Sequence, residues 1–180
     1  WSSDVCSSDL GSEGLFFLPY LAGERTPHAD PHARACFIGM TNKHTRGHLA
    51  RSVMEGVAYS LCESLDIIEQ LSIPVKEIRL SGGGAKSGLW KQILADAFGQ
   101  KVCTINAEQG PGYGVALLAA VGDGAYKNIE EACKATIHVV DKVSPQKGPQ
   151  KVYRAGFPVY QKMYSALKDQ FVEISKLDAC

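Results

Sequence analysis

The sequence has 180 residues, 45% of them hydrophobic, which is enough for one compact domain built on a single core. Its 19 basic residues balance 19 acidic ones, so no strong field draws it to nucleic acid or to an anionic membrane surface. Six scattered cysteines (6, 36, 62, 103, 133 and 180), with no CxxC pair, suit reduced thiols in the cytosol and argue against a disulfide framework or a zinc knot.

Trp1 to Leu10 follow no periodic pattern, and the composition changes abruptly at Gly11, so residues 1–10 read as a non-native leader and 11–180 as the domain proper. Gly14 to Tyr20 is a short apolar, aromatic-rich run that predicts a buried strand ended by Pro19. The polar loop from Gly23 to Pro31 contains two prolines and predicts a fixed bend. Ala35 to Met40 reads as a second strand. From Thr45, a plausible N-cap, to Leu71, the residues Leu49, Val53, Val57, Leu61, Leu65, Ile68 and Leu71 recur at threes and fours, which predicts a long amphipathic helix buried on that stripe.

Val75 to Ser81 then reads as a strand, Gly82 to Lys86 as a turn, and Ser87 to Phe98 as a helix ended by Gly99. Lys101 to Ile105 is a further strand, and the turn Gly110 to Gly114 leads into a helix of small residues through Val121. A short helix near Ile129 to Thr136, a linker-like Ser144 to Gln150, and a helical tail from Tyr153 to Leu177 complete the pattern. The tail's face is expected to be Val159, Met163, Leu167, Phe171, Val172 and Ile174. The longest apolar stretch, Val115 to Val121, is too short to span a bilayer. Strands alternating with helices predict an α/β layer architecture.

The strand that ends in Ser81-Gly-Gly-Gly-Ala-Lys-Ser87 and continues as a helix carries the chemistry. Glycines let a ligand approach the main chain, and the following helix aims unpaired N–H groups and a partial positive charge at the turn. Phosphate or ribose is the natural guest. A Walker A loop is excluded, because Ala85 precedes Lys86 and the motif's first glycine is missing. The dinucleotide fingerprint is nearly met by Gly82 and Gly84 but has Ser87 in its third position, so an NAD-binding reading stays open beside a ligand-free tight turn.

Ala35-x-Phe37-x-Gly39-Met40, followed after seven residues by His48-Leu49-x-x-Ser52-Val53-Met54-Glu55, resembles the C-terminal signature of the FGGY carbohydrate kinases. Within that family, Gly14 to His28 and Leu80 to Trp90 look most like the members that phosphorylate D-xylulose. The resemblance runs from about Gly11 to Tyr126. It implies an actin-like ATPase (ribonuclease H-like) fold, a mixed sheet flanked by helices, in the nucleotide-holding half of a two-domain enzyme that moves a phosphoryl group from MgATP to a sugar. It further implies that Gly82, Gly83 and Gly84 hold adenosine. Ser87 then stands where many members carry an asparagine near the base, Lys86 is a phosphate candidate, and Gly110 opens a second glycine segment close to the nucleotide. Glu24 and Arg25 would border the cleft.

By the same resemblance, the aspartate base and the loops that hold the β- and γ-phosphates lie in an N-terminal domain upstream, so no catalytic residue and no metal ligand is assigned here. Mg²⁺ is expected on the phosphates, and the chain alone is expected to be inactive. A homodimer is left open. Another FGGY kinase, acting on gluconate, ribulose or a deoxy sugar, and a non-catalytic scaffold remain as alternatives.

Other residues are read as structural. His44 and His48 are four apart, but His44 precedes the cap and no Glu follows it as in His-Glu-x-x-His, so a structural role is expected and not zinc binding. His28 and His32 are expected at the surface, Arg51 and Glu55 as a helix-face ion pair, and Cys103 in the core.

Overall fold

The computed structural model describes residues 10–107 and 110–177; most of the leader lies outside them. Strand β1 (Phe16–Leu18) pairs antiparallel with β2 (Cys36–Ile38), with Phe17 opposite Phe37. The loop between them is pinched at its neck, where Glu24 N donates to the Asp30 carbonyl at 2.8 Å and Asp30 N to the Glu24 carbonyl at 2.7 Å. Helix α1 (Arg46–Gln70) begins after Thr45 and lies across β1. Its approach is so close that a Cβ on Gly56 would overlap the Phe17 carbonyl oxygen.

A second sheet has the order β3-β4-β5. Strands β3 (Ile78–Leu80) and β4 (Val102–Ile105) are parallel and joined by helix α2 (Gly88–Phe98), as a crossover between parallel strands requires. Gly99 ends α2 in the left-handed region at φ 64°, where glycine is unstrained. Helices α3 (Pro111–Gly122) and α4 (Ile129–Thr136) return the chain to β5 (Val139–Val143), which runs antiparallel to β4 and makes the sheet mixed. Helix α5 (Lys147–Leu177) packs on α2 and α1. The core joins both sheets' neighbours: Leu18, Tyr20, Met54, Ala58 and Tyr59 meet Ile93, Leu94, Val102, Tyr153, Tyr160 and Phe171. Burying side chains of this size stabilises the fold by about 1.5–3 kcal/mol each before entropy is counted.

The structure departs from the sequence reading in several places. Residues 139–143 form a strand where none was expected, and α5 starts at Lys147, inside the stretch read as a linker. Asp96 supplies the reason for the early start, because its buried carboxylate accepts from Gln146 N at 2.6 Å and anchors the chain just before the helix. The Gly110 to Gly114 segment is already helical from Pro111, whose missing N–H costs nothing at a helix's first position.

The buried face of α1 is not the aliphatic stripe. Met54, Ala58, Tyr59 and Cys62 are buried together with Arg51, Glu55 and Glu63, whereas Leu61, Ile68 and Leu71 are 42%, 38% and 65% exposed. Small residues explain this choice of face, since Gly56 and Ala58 let the helix sit directly on β1. Likewise α5 buries Tyr153, Tyr160 and Phe171 and leaves Val159, Val172 and Ile174 exposed.

Arg51 and Glu55 are not a surface pair. Glu55 Oε1 accepts from Arg51 Nε at 2.9 Å, from Tyr153 OH at 2.9 Å and from Gly11 N at 3.0 Å, while Oε2 accepts from Ser12 Oγ at 2.8 Å. Four donors on one buried carboxylate tie α1, α5 and the first turn (Leu10–Gly14) into one unit. His48 closes the helix start, its Nδ1 accepting from Thr45 N at 3.0 Å, and His44 braces the preceding turn, its Nδ1 accepting from Thr41 N at 2.8 Å. His32 is exposed, but His28 is not a surface residue; its side chain is 17% exposed and stacks on Tyr164. Cys103 is in the core, as expected.

Candidate nucleotide site

The site is built where β3 ends. Gly82 takes φ 81° and ψ −176°, a conformation open essentially to glycine alone, and turns the chain into a single 3-10 turn over Gly83–Lys86. That turn is closed by Ala85 N to Gly82 O at 3.1 Å and Ser87 N to Gly84 O at 3.0 Å. Ser87 then caps α2, its Oγ accepting from Trp90 N at 3.2 Å. The N-terminus of α2, with its partial positive charge, therefore faces the turn.

The glycines differ in what surrounds them. A Cβ on Gly84 would meet the Trp90 ring at 3.1 Å, so that glycine lets the turn sit close against the indole. A Cβ on Gly82 or Gly83 would meet nothing within 4 Å. The empty space beside them is a cavity of about 340 Å³, lined by Ser81, Gly82, Gly83, Lys86 and, from the end of β4, Thr104 and Ile105. Through Ser81, Ile105 and Ala107 it adjoins a larger, mostly apolar cavity of about 520 Å³, lined by Gly110, Pro111 and Tyr113 at the start of α3 and by Ile129, Cys133 and Ile137. Behind the turn, Gly84 and Trp90 close a small apolar pocket of about 170 Å³ with Val53, Met54 and Val57 of α1.

The groove thus has one half made of bare main chain at a helix N-terminus and another made of apolar side chains. A flat heterocycle with an attached polar, anionic tail fits such a pair of surfaces. Its floor is tied to α2 by Lys91, which pairs with Asp141 of β5 and holds that carboxyl below its usual range.

Of the residues singled out in the sequence, Gly82, Gly83 and Lys86 line the first cavity and Gly110 the second, so the structure brings these four together. Gly84 faces the pocket behind the turn, and the side chain of Ser87 is engaged as a helix cap. Glu24 and Arg25 are elsewhere, on the pinched loop; the Glu24 carboxylate accepts from Thr26 N at 2.8 Å and Arg25 is exposed. Sequence reasoning missed Thr104, Ile105, Ala107, Tyr113 and Cys133. The signal available was topological: ligands in α/β sheets bind beyond the carboxyl ends of parallel strands, where Thr104 and Ile105 sit.

The crossover joining two parallel strands of a mixed sheet, with its glycine turn and flanking helices, defines an α/β domain. Comparison with known proteins is more specific. The family described as "FGGY family of carbohydrate kinases, C-terminal domain" matches residues 2–122, and the chain belongs to that family. The xylulose kinase of Staphylococcus epidermidis (strain RP62A) is 41% identical over 164 residues, covering 91% of this chain and 33% of that protein. A gluconokinase of Bacillus subtilis is 32% identical over 166 residues, covering 92% of this chain and 32% of that protein. Among solved structures, ligand-bound xylulose kinase from Lactobacillus acidophilus matches with a TM-score of 0.83 at 26% identity, covering 95% of this chain and 35% of that one. The chain spans about a third of the length of these relatives. The family match sets the NAD-binding alternative aside.

Proposed function

We propose that this chain is the nucleotide-holding part of a cytosolic sugar kinase that transfers the terminal phosphoryl group of MgATP to a hydroxyl of D-xylulose. Adenosine lies against Gly82 and Gly83, with Gly84 on the far side of the turn. The apolar surface from α3 and α4 shelters it, and Lys86 and the N-terminus of α2 favour the phosphates. A helix N-terminus contributes roughly 0.3–1 kcal/mol toward a nearby anion, so it orients the nucleotide more than it binds it.

The observation that carries this reading is Gly83. Nothing in the protein occupies the direction in which its side chain would point, and a cavity of about 340 Å³ lies beside it. Other glycines of the chain are as uncrowded, among them Gly122 and Gly148, but Gly83 lines a groove at a helix N-terminus, where a guest can use the bare main chain. The similarity to xylulose kinases supports the sugar, and the gluconokinase similarity makes gluconate the substrate to test against it.

As the family resemblance implies, Mg²⁺ is assigned to the ATP phosphates and to an N-terminal domain; among the described residues, no cluster of three or more His, Cys, Asp or Glu side chains could hold a metal ion. That domain also supplies the base that accepts the sugar proton, a contribution typically worth 10²–10⁴ in rate. Among the described residues, no helix is long and apolar enough to cross a membrane.

A fluorescent ATP analogue titrated into the chain tests the nucleotide site. Binding that is lost in Gly83→Val with the fold intact supports it, and equal affinity of both proteins overturns it. D-xylulose against gluconate as phosphoryl acceptor for the full-length enzyme tests the sugar. D-xylulose-dependent ATP turnover by this chain alone would refute the division of labour.

A further inference from the structure

The loop bearing Glu24 and Arg25 is seated on a buried titratable pair that the nucleotide site does not use. His28 stacks on Tyr164 of α5, with ring centroids 3.5 Å apart and planes 6° from parallel, and Tyr20 meets it edge-on at 5.9 Å. Its Nε2 lies 3.9 Å from Oε2 of Glu63 on α1, a side chain 6% exposed. Neither atom has a hydrogen-bond partner among the described residues. Buried polar atoms are almost always satisfied, so two facing orphans mark a place where a proton, with the small shift it draws after it, completes the structure.

The surroundings are acidic and phenolic. Glu24 and Asp30 of the loop face His28, while Glu24 and Asp66 of α1 face Glu63. Asp30 is engaged by Tyr164, whose hydroxyl donates to its Oδ2 at 2.9 Å. Tyr20 and Tyr160 direct their buried hydroxyls toward each other without closing a bond of regular geometry, and both feel the charge of Glu63. Among the described residues, no arginine or lysine is among the charges acting on Glu63, and the cation-forming side chain that faces it is His28.

We propose that His28 and Glu63 hold a single proton between them, and that losing it, or gaining a second, releases the Gly23 to Pro31 loop from α1 and α5. With no proton, a buried carboxylate stands unpaired beside Glu24 and Asp66. With two, a cation is buried beside a neutral acid. Both states are disfavoured in a low-dielectric site, whereas the singly protonated pair is neutral overall.

The direction of each half follows. Burial, reinforced by Glu24 and Asp66, pushes the Glu63 carboxyl up to about 7. Its contribution to holding the loop is therefore full below the ordinary glutamate value and is lost as the pH rises toward 7. Burial lowers the His28 imidazole, against the pull of Glu24 and Asp30. Its contribution is present above the ordinary histidine value and is lost as the pH falls through the lowered one. The two slopes oppose each other, and the pair keeps the loop seated across the window between them.

Hydrogen exchange of the peptide spanning Glu24 to Ala33 in the full-length protein, corrected for intrinsic rates from about pH 3.5 to 8.5, reads both halves separately. The wild type should show protection that is greatest between about pH 4.5 and 6.5, between the ordinary glutamate and histidine values, and falls on either side. His28→Phe, which keeps the ring stack but not the nitrogen, should lose protection steadily with rising pH, by roughly tenfold or more between pH 5.5 and 8. Glu63→Gln should show the reverse slope, losing protection as the pH drops below about 6.5. Parallel profiles in all three proteins, whatever their absolute level, would overturn the proposal, because a purely structural contact has no reason to change slope. If either variant also loses protection across Gly88–Phe98, the wild type decides alone: the His28 ring should titrate with a midpoint clearly below the ordinary histidine value, and a midpoint at or above that value sinks the idea.

Discussion

Two glycines in this chain look alike in sequence and serve opposite purposes. Gly56, in the middle of α1, is bare because the protein fills the space: a Cβ there would run into the Phe17 carbonyl. Gly83, at the end of β3, is bare although the protein leaves the space empty. One glycine is a packing device and the other is an opening. The region around Gly56 is held by the Glu55 network and aromatic side chains, whereas the region around Gly83 is mostly main chain, groove and helix terminus. Stability and the proposed nucleotide binding thus fall at different ends of the domain, and substitutions can pull them apart.

The largest loss of stability is expected at the packed end, from Glu55→Gln. The amide cannot balance Arg51 or accept from all four donors, and breaking a buried pair from one side costs about 3–5 kcal/mol. Urea denaturation should record that loss without a change in m-value, and a loss below about 1 kcal/mol would mean that water reaches the network. Next comes Gly56→Ala, which must push α1 away from β1. Overpacking of this kind costs typically 1–3 kcal/mol and should appear in the same experiment. Ser87→Ala should be milder, about 1 kcal/mol, because it removes one helix cap. Ser87→Asn should restore most of that, as asparagine caps equally well; failure to do so would show that the hydroxyl has a second task.

How much of this was legible in the sequence depends on what kind of pattern carries each part. The glycine turn, the cap at Thr45, and α2 with its glycine stop are local and were readable, because a turn, a cap and a period each need only a few consecutive residues. The face of α1 was not, and that of α5 was readable only in part: Met163, Leu167 and Phe171 pack on the core, whereas Val159, Val172 and Ile174 are exposed. Hydropathy alone favours Leu49, Val53, Val57 and Leu61, but the contact is decided by how closely a helix can approach, and Gly56, Ala58 and Gly156 permit the approach on another face. Glu55 looked like half of an i, i+4 surface pair because its other partners, Gly11, Ser12 and Tyr153, are distant in the chain. His28 was hidden for the same reason, since Tyr164 is 136 positions away. In the site itself, Gly82, Gly83, Lys86 and Gly110 were visible, whereas Thr104 and Cys133 enter the groove only through strand order and the packing of α4.

The smallest expected change in stability is the one that discriminates most. Gly83→Ala adds a methyl group that meets nothing within 4 Å, at a position without a left-handed backbone, so the unfolding free energy should move by less than about 0.5 kcal/mol. Set beside Gly56→Ala, the same chemical change would then differ in cost by several-fold, which tests whether the emptiness at Gly83 is real in solution. Nucleotide affinity should invert the order: the Gly83→Ala methyl group intrudes on the groove, while Gly56→Ala lies on the far side of α1 from it. A destabilised Gly83→Ala would mean that the turn closes on itself when no guest is present, and the space beside it would lose its meaning as a site.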